Sequence, residues 1–416
     1  SSAEVLARLG RETGVARARG GVLTHFLDQA HQARARCDEA DREMWLLRGV
    51  AILRADPDVP PTMVADVLLQ LAEVELDRGD LEAARGFLGD VFSLRGLSAS
   101  AEVAVRLRYA ELYAAEGRLE RGLDALSDAT ASARDASDAP LVARCGVVQV
   151  GLLFRDAELR RAATRLESLT SADVREPTLA IPLAVATGRI RAAQGRANEG
   201  VAGLEAALEA VALDDVRIEV PAHLALGQLL VVNGQLSAAA DRFEQSRGTA
   251  RAMGLRDLEI GALIGLGDVA RLEGRPEDAA RQLRRAAGLA EAGRDRASHG
   301  AATAGLALAL AHTGEIEAAT RLAKEALERL EPWRMERFDA EFVAAAVAIL
   351  AGEPVRARSA LDKLAADLEI RGIARPLVSR ARARIAGMPE PGGLYAGFSP
   401  ARAQLDGAEL GRLRLV

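Results

Sequence analysis

The sequence predicts an all-α fold, a right-handed superhelical solenoid of stacked antiparallel helix pairs, and three observations predict it. Glycine recurs at Gly79, Gly117, Gly195, Gly234, Gly274, Gly314 and Gly352, with gaps of 38, 78, 39, 40, 40 and 38 residues, the 78 being two units of 39 with one degenerate repeat inside it. A period of this size is one helical hairpin, which buries its apolar face only by stacking on its neighbours. Small residues hold two fixed offsets from these glycines: Ala72, Ala110, Gly188, Gly227, Gly267, Ala307 and Ala345 stand seven before, and Ala84, Gly122, Gly200, Ala239, Ala279, Ala319 and Ala357 five after. Two helices must approach closely there. Finally, 49% of residues are apolar but only 3% aromatic, so burial comes from Ala, Leu and Val, the residues of close helix packing.

Taken in order along the chain, residues 1–61 read as an N-terminal cap or first hairpin. Helices over 22–36 and 41–54 present Phe26, Ala30 and Ala33 on one face and Trp45, Leu46, Ile52 and Leu53 on another, and the pair closes at Asp56-Pro57-Asp58-Val59-Pro60-Pro61. The repeat array covers 62–370. Each phased glycine ends the first helix of a hairpin, where it can take the left-handed conformation. Asp80, Glu315 and Glu353 follow it, placed to accept from free N–H groups of the next helix. Pro276 and Pro354 fall in that helix's first turn, where a missing N–H costs nothing. Larger residues fill the space beside the small ones, such as Leu71 and Leu226 eight before the glycine and Leu88 and Phe243 nine after it. The repeat around Ala157–Leu169 lacks its glycine while Ala162 and Leu166 keep the core spacing, so a local kink or register change is expected there. Residues 371–388 continue as a capping helix over Leu377–Ala386. Met388-Pro389-Glu390-Pro391-Gly392-Gly393 then breaks regular structure, leaving 389–416 as a linker-like or docked tail.

A small residue in the first helix facing a small residue in the second resembles the tetratricopeptide repeat. The stretch Leu263-Ile264-Gly265-Leu266-Gly267-Asp268-Val269-Ala270-Arg271-Leu272-Glu273-Gly274-Arg275-Pro276-Glu277-Asp278-Ala279-Ala280 carries the resemblance, as do His223–Phe243 and Leu68–Val91. The period near 39 is similar to the long-helix variety found in MalT-like sensor arms of bacterial regulators. The resemblance implies protein–protein interaction without catalysis. It also implies a concave groove lined by the first helix of each pair: Leu69, Glu73 and Leu76; Leu107 and Glu111; Val185 and Arg189; Leu224, Gln228 and Val231; Ile264, Asp268 and Arg271; Leu308 and His312; Phe342 and Ile349. Two readings of this apolar lining stand side by side. It is a groove for an amphipathic helix or extended peptide with Arg189, Gln228, Asp268 and Arg271 as polar anchors, or it is the packing surface of a tight superhelix.

Composition narrows the partner. A net charge of −6 gives no general attraction for nucleic acid or an anionic membrane. The longest uncharged apolar runs, Ala301–Ala311 and Phe342–Gly352, fall short of the roughly 20 residues a membrane span needs. Cys37 and Cys145 lie in different repeats, which fits a reducing cytoplasm. The chain starts Ser1-Ser2-Ala3 with no visible secretory signal, and it reads as a fragment of something longer.

No catalytic, metal or cofactor constellation emerges. Gly265-Leu266-Gly267-Asp268-Val269-Ala270 matches a dinucleotide fingerprint in letters, but it lies inside a helix rather than after a strand, so its glycines serve packing. His25, His31, His223, His299 and His312 are scattered over four repeats and read as surface or packing residues, and Asp214-Asp215 as solvated loop charge. The expectation is a non-enzymatic scaffold for a protein or peptide; the rival is the effector-sensing arm, for a small molecule or protein, of a larger bacterial signalling regulator, kinase or ATPase.

Overall fold

The computed structural model describes residues 15–35, 38–55, 59–169, 177–210 and 215–373. The expected helix Leu377–Ala386, the tail 389–416, Cys37 and the turn residues 56–58 lie outside them. Eighteen α-helices and no strand occur among the described residues. They are α1 (Val15–Ala35), α2 (Glu39–Ala55), α3 (Pro61–Arg78), α4 (Leu81–Ser93), α5 (Ala99–Ala115), α6 (Leu119–Asp135), α7 (Ala139–Arg155), α8 (Leu159–Glu167), α9 (Pro177–Ala193), α10 (Ala197–Ala210), α11 (Val216–Val232), α12 (Leu236–Ala252), α13 (Arg256–Leu272), α14 (Pro276–Ala292), α15 (Arg296–His312), α16 (Ile316–Arg329), α17 (Arg334–Leu350) and α18 (Pro354–Arg371). Odd and even helices pair into hairpins. They form two compact units, the first built from α1–α6 and the start of α7, the second from the rest of α7 through α18.

The phased glycines do what their conformational freedom allows. All seven hold a positive φ, as Gly79 at 78°. The Gly79 N–H donates to the Leu76 carbonyl and the Asp80 N–H to that of Glu75, which closes the last turn of α3. The degenerate repeat keeps this turn without its glycine. Ala157 sits at φ 58°, and its N–H and that of Glu158 donate to the Phe154 and Leu153 carbonyls in the same pattern. The expected register change is absent there; instead an alanine is held in a conformation that costs an L-residue roughly 1 kcal/mol. The second helix of that hairpin, α8, is short, with 9 residues. A second set of left-handed residues, Ser137, Gly254, Arg294 and Gly372, ends even-numbered helices, and Gly96 stands in the loop after α4.

Capping follows side-chain length. Asp80 accepts from the Ala83 N–H at 3.0 Å, and Ser98, Asp138, Asp215 and Asp295 cap α5, α7, α11 and α15 in the same way. Asp215 is therefore a cap rather than idle loop charge. Glu315 and Glu353 occupy the N-cap position but make no side-chain cap bond, since the extra methylene carries the carboxylate past the free N–H groups. Pro276 and Pro354 stand at the first position of α14 and α18.

The small-residue pairs set the distance between helices. A Cβ on Gly200 would lie 2.9 Å from the Gly188 carbonyl oxygen, so here two backbones touch. A Cβ on Gly265 would fall 2.5 Å from the Phe243 ring, and one on Gly267 would fall 2.6 Å from Leu283. The fingerprint-like glycines of α13 thus make room for the side chains of α12 and α14. In the first unit Leu23, Leu46, Val67, Leu71 and Val74 form one core and Ala72, Ala84, Leu88 and Leu112 another. In the second unit a core runs from Leu204 through Leu226, Leu229 and Phe243 to Val269.

Candidate functional site

The first helix of each hairpin carries the expected groove positions, and burial divides them by chemistry. Leu107, Leu224, Val231, Leu308, Phe342 and Ile349 are buried in the packing between helices. Leu69, Leu76, Val185 and Ile264 are half-buried against neighbouring cores. The charged and amide side chains fall into two groups, Glu73 and Glu111 in the first unit and Arg189, Gln228, Asp268, Arg271 and His312 in the second.

In the first unit Glu73 of α3 is the hub of a charge network. Its two carboxylate oxygens accept from Arg34 and Arg42 at 2.7 Å each, and Arg108 stands 3.3 Å away while donating to Glu111 at 2.6 Å. Arg42 is wholly buried. Burial by itself would raise the Glu73 pKa, but Arg108, Arg34 and Arg42 outweigh it and hold the group at about 2. Burial works against the Arg108 charge in turn, and Glu111 and Glu73 more than restore it, raising its pKa. Beside the hub, Gln70 contacts His31 at 3.0 Å. Positive and negative groups answer one another here.

In the second unit a polar ladder follows the repeat. Arg189, Gln228 and Asp268 each stand six residues before their turn glycine, on α9, α11 and α13. Gln228 accepts from Arg189 at 3.5 Å, and Asp268 from Arg271 at 3.3 Å within a buried pair. The Arg189 Nε and the His312 Nε2 are buried with no hydrogen-bond partner. Burial pulls the His312 pKa down to about 4, with the Arg271 charge adding to it, so the ring is neutral at pH 7. Burial also lowers the Arg189 pKa, as does nearby Arg155, while Glu336 works the other way.

The second unit closes on itself. Its first hairpin, at the end of α7 and the turn into α8, meets its last, α17 and α18, through three ion pairs. Arg155 donates to Glu336 at 3.1 Å, Arg334 stands 3.5 Å from Asp156, and Arg371 donates to Glu158 at 3.2 Å. None of these residues was legible as a site residue, because the pairs join positions 178 to 213 apart that no local pattern connects. Arg34, Arg42 and Arg108 of the Glu73 hub escaped the sequence for the same reason, although Arg34 stands 39 residues before Glu73, one repeat away.

No protein-family model matches the chain, and no curated protein matches its sequence. Solved structures do match in fold. A Rap protein complexed with competence and sporulation factor is 13% identical, with 82% of this chain and 98% of that one covered and a TM-score of 0.52. A signal transduction ATPase with numerous domains and a tetratricopeptide repeat sensor, from Pyrococcus horikoshii, is 15% identical over 78% of this chain with a TM-score of 0.45; this chain spans about half, 52%, of that protein. Human IFIT1, solved as a dimer with m7Gppp-AAAA, is 16% identical over 74% of this chain and 68% of that one, with a TM-score of 0.42. The chain has the tetratricopeptide-like all-α fold.

Proposed function

We propose that the chain is a non-enzymatic interaction module of the long-repeat, MalT-like variety, and that the second unit binds an extended peptide along its polar ladder. The observation that carries this reading is the ladder itself: Arg189, Gln228 and Asp268 recur once per repeat on the first helices of successive hairpins. Neighbouring helices pack about 8–10 Å apart. An extended chain advances roughly 3.4 Å per residue, so one ladder group meets about every third peptide residue. The repeat would read a peptide side by side, with affinity summed over several weak contacts rather than concentrated in one.

The apolar groove positions are taken up by packing between helices, while of the ladder side chains Arg189 and Gln228 are half-buried and Asp268 is buried with Arg271. No helix among the described residues is long and apolar enough to cross a membrane. We place the protein in the cytoplasm, with a protein or peptide rather than nucleic acid as partner, on the net charge of −6. The boundaries 1–61 for a cap and 62–370 for the array belong to this proposal.

Selection of a random peptide display library on the immobilised chain tests it, with Gln228→Ala and Asp268→Ala proteins as counter-targets. Peptides enriched on the wild type and at least about tenfold weaker on either variant are expected. Enrichment equal on all three proteins, or of an RNA library in place of peptides, would refute it.

A further inference from the structure

The first hairpin carries an apolar stripe on its outside. On α2, Arg42, Leu46, Gly49 and Ile52 are buried, and Trp45 and Leu53 pack beside them against the core shared with α1 and α3. On the opposite face of the helix Ala40, Met44, Leu47 and Ala51 are all exposed, Met44 at 38% and Leu47 at 50%. Their intervals of four, three and four are those of a seam between two helices. Of the large apolar side chains exposed among the described residues, only Met44 and Leu47 are neighbours on one helix face.

Symmetry and charge together say what fits this stripe. Read in either direction it runs small, large, large, small, so a second α2 laid antiparallel sets alanine against alanine and Met44 against Leu47. An isologous contact needs this self-complementarity, because every contact in it is made twice. Asp41 and Arg48, seven residues apart, lie on one flank of the stripe. Antiparallel pairing brings the Asp41 of each copy to the Arg48 of the other. Arg48 stands over the Trp45 ring, 4.5 Å from its centre, which holds the guanidinium at this edge. Parallel pairing would instead set Arg48 against Glu43, which Arg78 of its own chain already holds.

We propose that α2 is a homodimer surface, on which a second copy of this chain lays its own α2 antiparallel. The contact is one helix face roughly 17 Å long, so association is weak and the flanking charges decide whether it forms. The dimer does not depend on the peptide reading above, but it adds to it. Two copies present two second units, and a partner carrying the peptide motif twice gains by avidity.

Sedimentation equilibrium of the full chain, up to about 200 µM, tests it. The wild type is expected to dimerise with a Kd on the order of 10–100 µM, and more weakly as salt is raised. Leu47→Glu should abolish the dimer. Asp41→Arg and Arg48→Asp, each alone, bring like charges together twice and should weaken it by at least about tenfold. Mixed in equal amounts, these two variants should recover it, because their heterodimer has opposite charges at both contacts. Only two copies paired antiparallel give that recovery. Circular dichroism of all three variants should match the wild type, since none of the three positions lies in the core. A dimer untouched by Leu47→Glu, or a mixture that associates no better than its components, would overturn the proposal. So would a monomeric wild type: a Tm lowered by Leu47→Glu would then assign the stripe to residues 1–14 of the same chain, and an unchanged Tm to solvent.

Discussion

Glu73 in the first unit and Arg189 in the second occupy the same position of the repeat, six residues before the turn, yet their surroundings differ in kind. Three arginines converge on Glu73, both its oxygens are bonded, and Glu111 takes up part of the excess positive charge. Arg189 has one long bond to Gln228, a like-charged neighbour and an orphaned Nε. A satisfied buried network fixes a structure, whereas an unsatisfied one weakens it and persists where a ligand completes it. On the proposed reading the first site serves stability and the second binding.

The sharpest way to break it is to remove each hub in turn. Glu73→Gln removes the carboxylate that wholly buried Arg42 shares with Arg34 and Arg108, and should destabilise the first unit by about 3 kcal/mol, the cost of breaking a buried ion pair. Arg189→Met should leave the second unit as stable or more so, since it deletes a charge that burial already disfavours. Hydrogen exchange resolved by helix, under mild denaturant, reads the two effects separately. Destabilisation of similar size in both units would erase the distinction.

Acid should separate the units next. His312 titrates near 4 when folded and at its ordinary value of 6.5 when unfolded. The unfolded chain therefore takes up the proton first, and stability present above 6.5 is lost as pH falls toward 4. The loss is up to about 2 kcal/mol once solvent at this half-buried ring is allowed for. His223 and His299, also lowered chiefly by burial, add to it in the same unit. Glu73, lowered from 4.5 to about 2, keeps its contribution until pH drops below 4.5. Between pH 6.5 and 4.5 exchange should quicken in α11–α16 and hold steady in α3–α5, and His312→Gln should flatten the response.

A smaller gain is expected at the degenerate turn. Ala157→Gly should stabilise the α7–α8 hairpin by about 0.5–1 kcal/mol, the relief of a left-handed alanine less the methyl's packing. Thermal unfolding would show it, and a fall in Tm would mean that the packing outweighs the strain. The seam should give the least. Arg371→Gln removes one partly exposed pair to Glu158, for at most about 1 kcal/mol, and the difference from wild type should shrink as salt is raised.

The fold was legible because it is written locally. A glycine that must turn left-handed and two small residues that must face each other repeat at one period, and each is a short-range constraint. Even the lost glycine was placed correctly, at Ala157, though not its consequence, because an L-residue held at positive φ is a tertiary outcome. The polar half of the candidate site was legible for the same reason: Glu73, Arg189, Gln228 and Asp268 share one phase of the repeat. Their partners were not. Arg42 reaches Glu73 from the second helix of the first hairpin, 31 residues away, and Glu336 reaches Arg155 across 181 residues by the closure of the second unit.

Hydrogen exchange of the full chain with and without a selected peptide tests the central claim most directly. The account predicts slowed exchange in α9, α11 and α13 of the second unit, with α3 and α5 of the first unchanged. Protection in α3 and α5 instead, or in neither set, would contradict it.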